Sequence, residues 1–181
     1  MSVGTPSSFF IHTPMKTYVI TLSTNFPSTH PRKGDPTYFK EQLFNAIFRD
    51  RGYDIRGAYP QHGHKIHTIR ANYSLWAKRF EQIEKGEACL SIRRWTGKPY
   101  RSEQYEMTRL TKDDGIGIQK LEFRKVFSQC RTVRPAVGDT YIDAQSLASN
   151  DGLSLSDWTS WFENYDKSKP LVIIHFTKFR Y

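Results

Sequence analysis

Cysteine is scarce in this 181-residue chain: only Cys89 and Cys130 are present. Two cysteines 41 positions apart make neither a metal-ligand spacing nor a disulfide framework. No run of 18 apolar residues exists, which excludes a membrane-spanning helix. No stretch rich in lysine and arginine carries a clean apolar face, so an in-plane membrane helix is not expected either. The run Phe9, Phe10, Ile11 is too short for a secretory signal, and no basic residue precedes it. A reducing cytoplasm is therefore the expected setting. Acidic residues are also in deficit: 18 Asp and Glu stand against 27 Lys and Arg, a formal charge of +9. That balance points to an anionic partner such as nucleic acid or a phosphorylated small molecule. Aromatics reach 14%, enough to argue against disorder.

The chain length suits one domain. Residues 1–15 are expected to be a poorly ordered lead, with Met15 a candidate start, and residues 16–181 a single domain. "KTYVITLS" (16–23) predicts a first strand, followed by a loop dense in Pro, Gly and Asn. Asp35 before Pro36 predicts a capped helix over 36–49, with Phe39, Leu43, Phe44, Ile47 and Phe48 on its apolar face. "HKIHTIR" (64–70) predicts a strand. Asn72 predicts the cap of a helix over 73–85 that buries Leu75, Trp76, Phe80 and Ile83 and stops at Gly86. "EACLSIRRW" and "KPYRSEQYEMTRL" predict a hairpin turning at Thr96–Gly97. "IQKLEFRKVFS" alternates like a strand. Ser154 and Asp157 form a capping-box pair flanked by Leu153 and Trp158, which predicts a helix over 155–165. "PLVIIHF" (170–176) closes the pattern as an apolar strand. Six or seven mostly antiparallel strands with three helices predict an α+β fold or mixed barrel.

Three places carry candidate chemistry. In "HKIHTIR", alternation would send Lys65 and Thr68 to opposite faces. They converge only if the strand starts irregularly near His64 to His67, for which Gly63 is suited. A lysine amine beside a threonine hydroxyl is a base–nucleophile pair if the lysine is partly neutral, and Arg70 suits a phosphate or a base edge. An edge strand with solvated cations is the plainer reading. His62, His64 and His67 lack a carboxylate or cysteine nearby and only two of them share a strand face, so no metal is expected. In "RRWTGKPYR" (93–101), Arg93, Arg94, Lys98 and Arg101 interleave with Trp95 and Tyr100. Cations for a phosphate backbone and rings for bases are what single-stranded nucleic acid requires. Lys120, Arg124, Lys125, Arg131 and Arg134 are more scattered and read as solvated surface. Asp151, before Gly152, is either a turn residue or a carboxylate that orients a ligand amine or moves a proton.

The order of "HKIHTIR" and a helix, a basic hairpin, "DGLSLSDWTSWF" and a closing "VIIHF" resembles the ASCH domain, a small β-barrel of the PUA-like superfamily. The resemblance runs from Lys16 to Phe176. It implies a mixed or antiparallel PUA-like barrel with flanking helices that binds RNA or a modified nucleoside in a cleft. It also implies an alternative, an amidohydrolase acting on N4-acetylcytidine-type nucleosides without a cofactor. Under that alternative Thr68 is the nucleophile and Lys65 the base. Asp151 stands as the acid where the family has glutamate, one methylene longer.

Overall fold

The computed structural model describes residues 15–54, 59–126 and 133–181. Residues 1–14, the bulk of the expected lead, lie outside the described residues, as do Cys130 and Arg131. The architecture is α+β, with eight strands in two sheets and four α-helices among the described residues, against an expectation of six or seven strands and three helices.

Strand β1 (Lys16–Thr21) runs parallel to β3 (Ala88–Trp95), which pairs antiparallel with β4 (Gln104–Leu110). A second sheet has the order β2 (His67–Arg70), β8 (Leu171–His175), β5 (Gly117–Lys125), β6 (Val133–Val137) and β7 (Thr140–Tyr141), antiparallel throughout. Every residue of β8 is buried, which explains its unbroken "LVIIH" run: it has no solvent face to alternate towards. One hydrophobic core joins both sheets to helices α1 (Phe39–Asp50) and α2 (Tyr73–Glu84), with Leu43, Ile69, Phe80, Leu90, Leu121 and Ile173 at its centre.

The expected start of the first helix is corrected. Asp35 does not cap it and Pro36 is not its first residue; α1 begins at Phe39, behind Tyr38 in the left-handed region. Asp35 and Pro36 instead close the preceding loop. The Asp35 carbonyl accepts from Phe26 N at 2.9 Å, its carboxylate pairs with Arg32, and Pro36 bridges Asn25. Phe39, Leu43 and Ile47 are buried, whereas Phe44 and Phe48 stack on each other outside the fully buried set. In the second helix Asn72 accepts from Leu75 N as a cap should, and Gly86 follows at φ 77°. Leu75 is exposed, because it sits one residue round from the Trp76–Phe80–Ile83 stripe.

The hairpin turn is longer than Thr96–Gly97. Thr96 N reaches Glu103 O at 2.9 Å, and Ser102 Oγ accepts from Gly97 N and donates to Lys98 O, so residues 96–103 form an ordered loop. Lys98, Tyr100 and Arg101 therefore lie in the loop and not on a strand. Helix α3 (Ala144–Asn150) was not expected, since it buries only Leu147 and Ala148; its legible mark is the Asp143 cap on Ser146 N. Helix α4 (Leu155–Trp161) is shorter than expected. Ser154 caps it through Asp157 N, Leu153 and Trp158 are both buried, and the Asp157 carboxylate turns away to Arg32 at 2.9 Å.

Candidate functional site around Lys65 and Asp151

The site is built on a break in a strand. Asn45, a buried polar residue on α1, donates through Nδ2 to the carbonyls of Tyr59, His62 and Gly63, and so fixes the approach to residue 64. Lys65 N then donates to Gln42 O at 3.0 Å, and Ile66 N to Asn150 O at 2.9 Å. These bonds divert the N–H groups of residues 65 and 66 from the ladder, although the Ile66 carbonyl still accepts from Phe176 N at 2.9 Å, and full pairing with β8 begins at His67. The alternation is reset, and Lys65, Thr68 and Arg70 line the same cavity. Asp151 also lines it, from the end of α3, where its N–H bonds back to Leu147 and Ala148.

Lys65 Nζ lies 2.5 Å from Asp151 Oδ1 and also donates to the Asp151 carbonyl. Both side chains are sealed, Lys65 at 1% exposure and Asp151 at 3%. The ammonium also sits 4.0 Å from the centre of the Phe39 ring. Burial pulls the Lys65 amine down from its ordinary value, and the Asp151 charge opposes that pull. Burial likewise pushes the Asp151 carboxyl up, against the nearby Lys65 and Arg70 charges. Burial thus favours the neutral form of each group, and their mutual attraction favours the charged pair. Arg70, half-buried, donates to Thr21 O at 3.0 Å and to Ile69 O. The Thr68 hydroxyl, though buried, makes no hydrogen bond among the described residues, and Lys65 Nζ is committed to Asp151 instead. The cavity holds about 230 Å³ and is walled on its apolar side by Phe39, Leu153, Trp161 and Phe162.

Gly152 makes the close approach possible. It adopts φ 79°, and a Cβ there would overlap Gln42 Oε1 and come within 3.2 Å of Lys65 Cβ. Gly152→Ala is expected to lower stability by about 1–3 kcal/mol through strain and displacement, read as an earlier midpoint in urea. An unchanged midpoint would mean that the 151–152 turn does not hold the pair.

The hairpin residues do not act as one group. Arg93 is engaged with Ser91 Oγ at 2.9 Å and with Glu106. Arg94 packs 5.8 Å from the Tyr105 ring and keeps a buried Nε without a partner. Trp95 is half-buried, with its ring 5.3 Å from that of Tyr100. Tyr100 is 90% exposed, and Lys98 and Arg101 are exposed without an ion pair among the described residues. Of the scattered second cluster, Lys120 and Arg124 both pair with Glu122.

The three histidines diverge. His62 stacks on Tyr38, His64 is partly covered beside Arg49, and His67 is buried with Nε2 2.8 Å from the Tyr181 hydroxyl. Among the described residues no three His, Cys, Asp or Glu side chains gather as metal ligands. Sequence reading missed Phe39, Gln42, Gly152 and Trp161 as parts of the site; only Gly152, following an acid in a turn dipeptide, carried a local signal. Comparison with protein-family models, with curated proteins and with solved structures gave no match.

Proposed function

We propose that this chain is an ASCH-like, PUA-like domain that captures a nucleobase, in RNA or as a modified nucleoside, in the cavity lined by Lys65, Thr68, Arg70 and Asp151. One observation carries the reading: Lys65, Thr68, Arg70 and Asp151 come from a broken strand and a distant helix end, yet line a single cavity. Polar groups and aromatic rings lining the same cavity suit a flat heterocycle with edge donors and acceptors. At about 230 Å³ the space is smaller than the roughly 300–1,000 Å³ typical of drug-sized ligands, a size for one ring and a short substituent. The net charge of +9 favours a phosphate-bearing partner. The two sheets, read as parts of a PUA-like barrel, would place this cleft beside the barrel.

A second reading, the amidohydrolase, is favoured by the Lys65–Asp151 pair itself. Transfer of a proton from Lys65 to Asp151 along their hydrogen bond would yield an amine base and a carboxylic acid in one step. Thr68 Oγ1 would then attack the acetyl carbonyl carbon and give its proton to Lys65. Asp151 would protonate the leaving N4 amine as the C–N bond breaks, and water would cleave the resulting threonine ester. Lys65 donates to Asp151 and not to Thr68, which is why capture is preferred as the primary reading.

Thr68→Ala separates the two. If the site captures, the protein binds cytidine or N4-acetylcytidine by calorimetry, releases no cytidine from the latter, and Thr68→Ala keeps most of the affinity. If it hydrolyses, cytidine release is followed by chromatography and is lost in Thr68→Ala, by a factor on the order of 10³ or more for an absent nucleophile. A wild-type protein that binds neither nucleoside nor RNA refutes both readings.

A further inference from the structure

Three residues other than glycine have positive φ among the described residues: Asn72, Tyr38 and Tyr100. Asn72 is a helix cap of a type that tolerates this conformation. The two tyrosines are not, and a bulky residue held in the left-handed region points to a functional demand. Both are exposed, Tyr38 at 45% and Tyr100 at 90%. Each also lines a cavity adjoining the Lys65 cavity. The Tyr38 cavity, about 170 Å³, shares Leu22, Ser23 and Phe39 with it. The Tyr100 cavity, about 450 Å³, shares Thr21 and Ser23. Ser23, on the turn after β1, borders all three. Both rings are backed by another ring: His62 stacks under Tyr38 at 4.4 Å, and Trp95 lies beside Tyr100 at 5.3 Å. Cations accompany each side, Arg94 in the Tyr38 cavity and the unpaired Lys98 and Arg101 on the Tyr100 loop.

A free nucleoside needs only the central cavity. Two strained, ring-backed tyrosines in cavities that adjoin it, each with cations nearby, match the needs of the neighbouring nucleotides of a strand: a flat surface for each base and positive charge for each phosphate. We propose that the site takes one base of a single-stranded nucleic acid, with neighbouring bases of the strand stacked on Tyr38 and on the Tyr100–Trp95 pair. This rests on the nucleobase reading of the Lys65 cavity.

The test uses fluorescein-labelled pentaribonucleotides of each single base, the matching pentadeoxyribonucleotides, and the free nucleosides together with N4-acetylcytidine. The variants are Tyr38→Gly and Tyr100→Gly. Glycine removes the ring and also relieves the positive φ, so both variants should fold and melt no lower than wild type. The expected result is tighter binding of a pentamer than of any nucleoside. Each variant should lose about 5- to 100-fold in pentamer affinity, as a stacked base is worth by truncation, while nucleoside affinity stays within about 2-fold. A ribo- over deoxyribonucleotide preference assigns the strand to RNA, and equal affinity to either strand type; both support the proposal. Pentamers that bind no tighter than nucleosides, or Gly variants that bind pentamers like wild type, overturn the flanking sites and leave the nucleobase reading standing. Loss of binding to every probe overturns both.

Discussion

Asp151→Ala is expected to destabilise the protein by about 3–5 kcal/mol, the cost of leaving a buried charge without its partner. For a chain of this size that lowers the melting temperature by roughly 6–20 °C. The Lys65 ammonium has nowhere to go. It is 1% exposed, packed on Phe39, and its two hydrogen bonds both end on Asp151. Removing the carboxylate leaves only the Asp151-position carbonyl to hold it. The pH dependence carries the sign. Burial already holds the Lys65 amine below its ordinary 10.5, and loss of the Asp151 charge lowers it further. Between that lowered value and 10.5 the unfolded chain binds the proton and the folded chain does not. Stability of the variant therefore rises with pH through this window, by up to about 1.4 kcal/mol per unit. The pair Lys65→Met with Asp151→Leu removes both charges together and should melt close to wild type or above it. Scanning calorimetry of the single and double variants measures the coupling. A single variant that melts within about 2 °C of wild type would show that the pair is not a buried one.

Acid should unfold this protein earlier than its carboxylates alone would dictate. His175 is fully buried on β8, with neither ring nitrogen hydrogen-bonded among the described residues. Burial, and then the Arg180 charge, bring it down from 6.5 to about 3. His67 beside it is held well below its ordinary value by burial, by His175 and by Lys65. His175 is neutral in the folded chain and protonated in the unfolded one across this window, so its stabilising contribution is complete above about pH 6.5 and is lost as pH falls towards 3, at about 1.4 kcal/mol per unit, and His67 adds a loss of the same sign. By pH 4.5, His175 alone accounts for about 2–3 kcal/mol. Urea midpoints taken from pH 7 to 4.5 should show this slope, and His175→Leu should flatten it. A midpoint independent of pH over that range would mean that the ring finds a proton acceptor or solvent in the folded state.

Local signals in the sequence were reliable where a cap or a stop is made by the neighbours of a helix. Asn72 and Gly86 bracket α2, and Ser154 opens α4, because those bonds close within three or four residues. Strand β8 was legible because burial on both sides demands an apolar run. The Asp35–Pro36 signal misled because its groups are used by the loop behind it, through Phe26, Arg32 and Asn25. The parallel pairing of β1 with β3 left no local trace, since its register links residues about 70 positions apart. The site divides the same way. Lys65, Thr68, Arg70 and Asp151 could be singled out by residue type, and Gly63 allowed an irregular strand start. The break itself is imposed by Gln42 O and Asn150 O, which pattern cannot reveal. The burial of Lys65 against Asp151 was equally invisible, because the two residues are 86 positions apart in the chain.

The position of β8 also sets the order in which the protein can assemble. It lies between β2 and β5, pairing His67 with His175 on one side and Gly117 with His175 on the other, yet it follows every other strand in sequence. Until residues 171–175 leave the ribosome, β2 and β5 have no common neighbour, and the apolar faces that β8 covers stay open. Contacts of such long sequence separation form slowly and leave sticky strand edges exposed in the meantime. The Lys65 cavity, which takes Thr68 and Arg70 from β2, therefore gains its full support only when β8 docks.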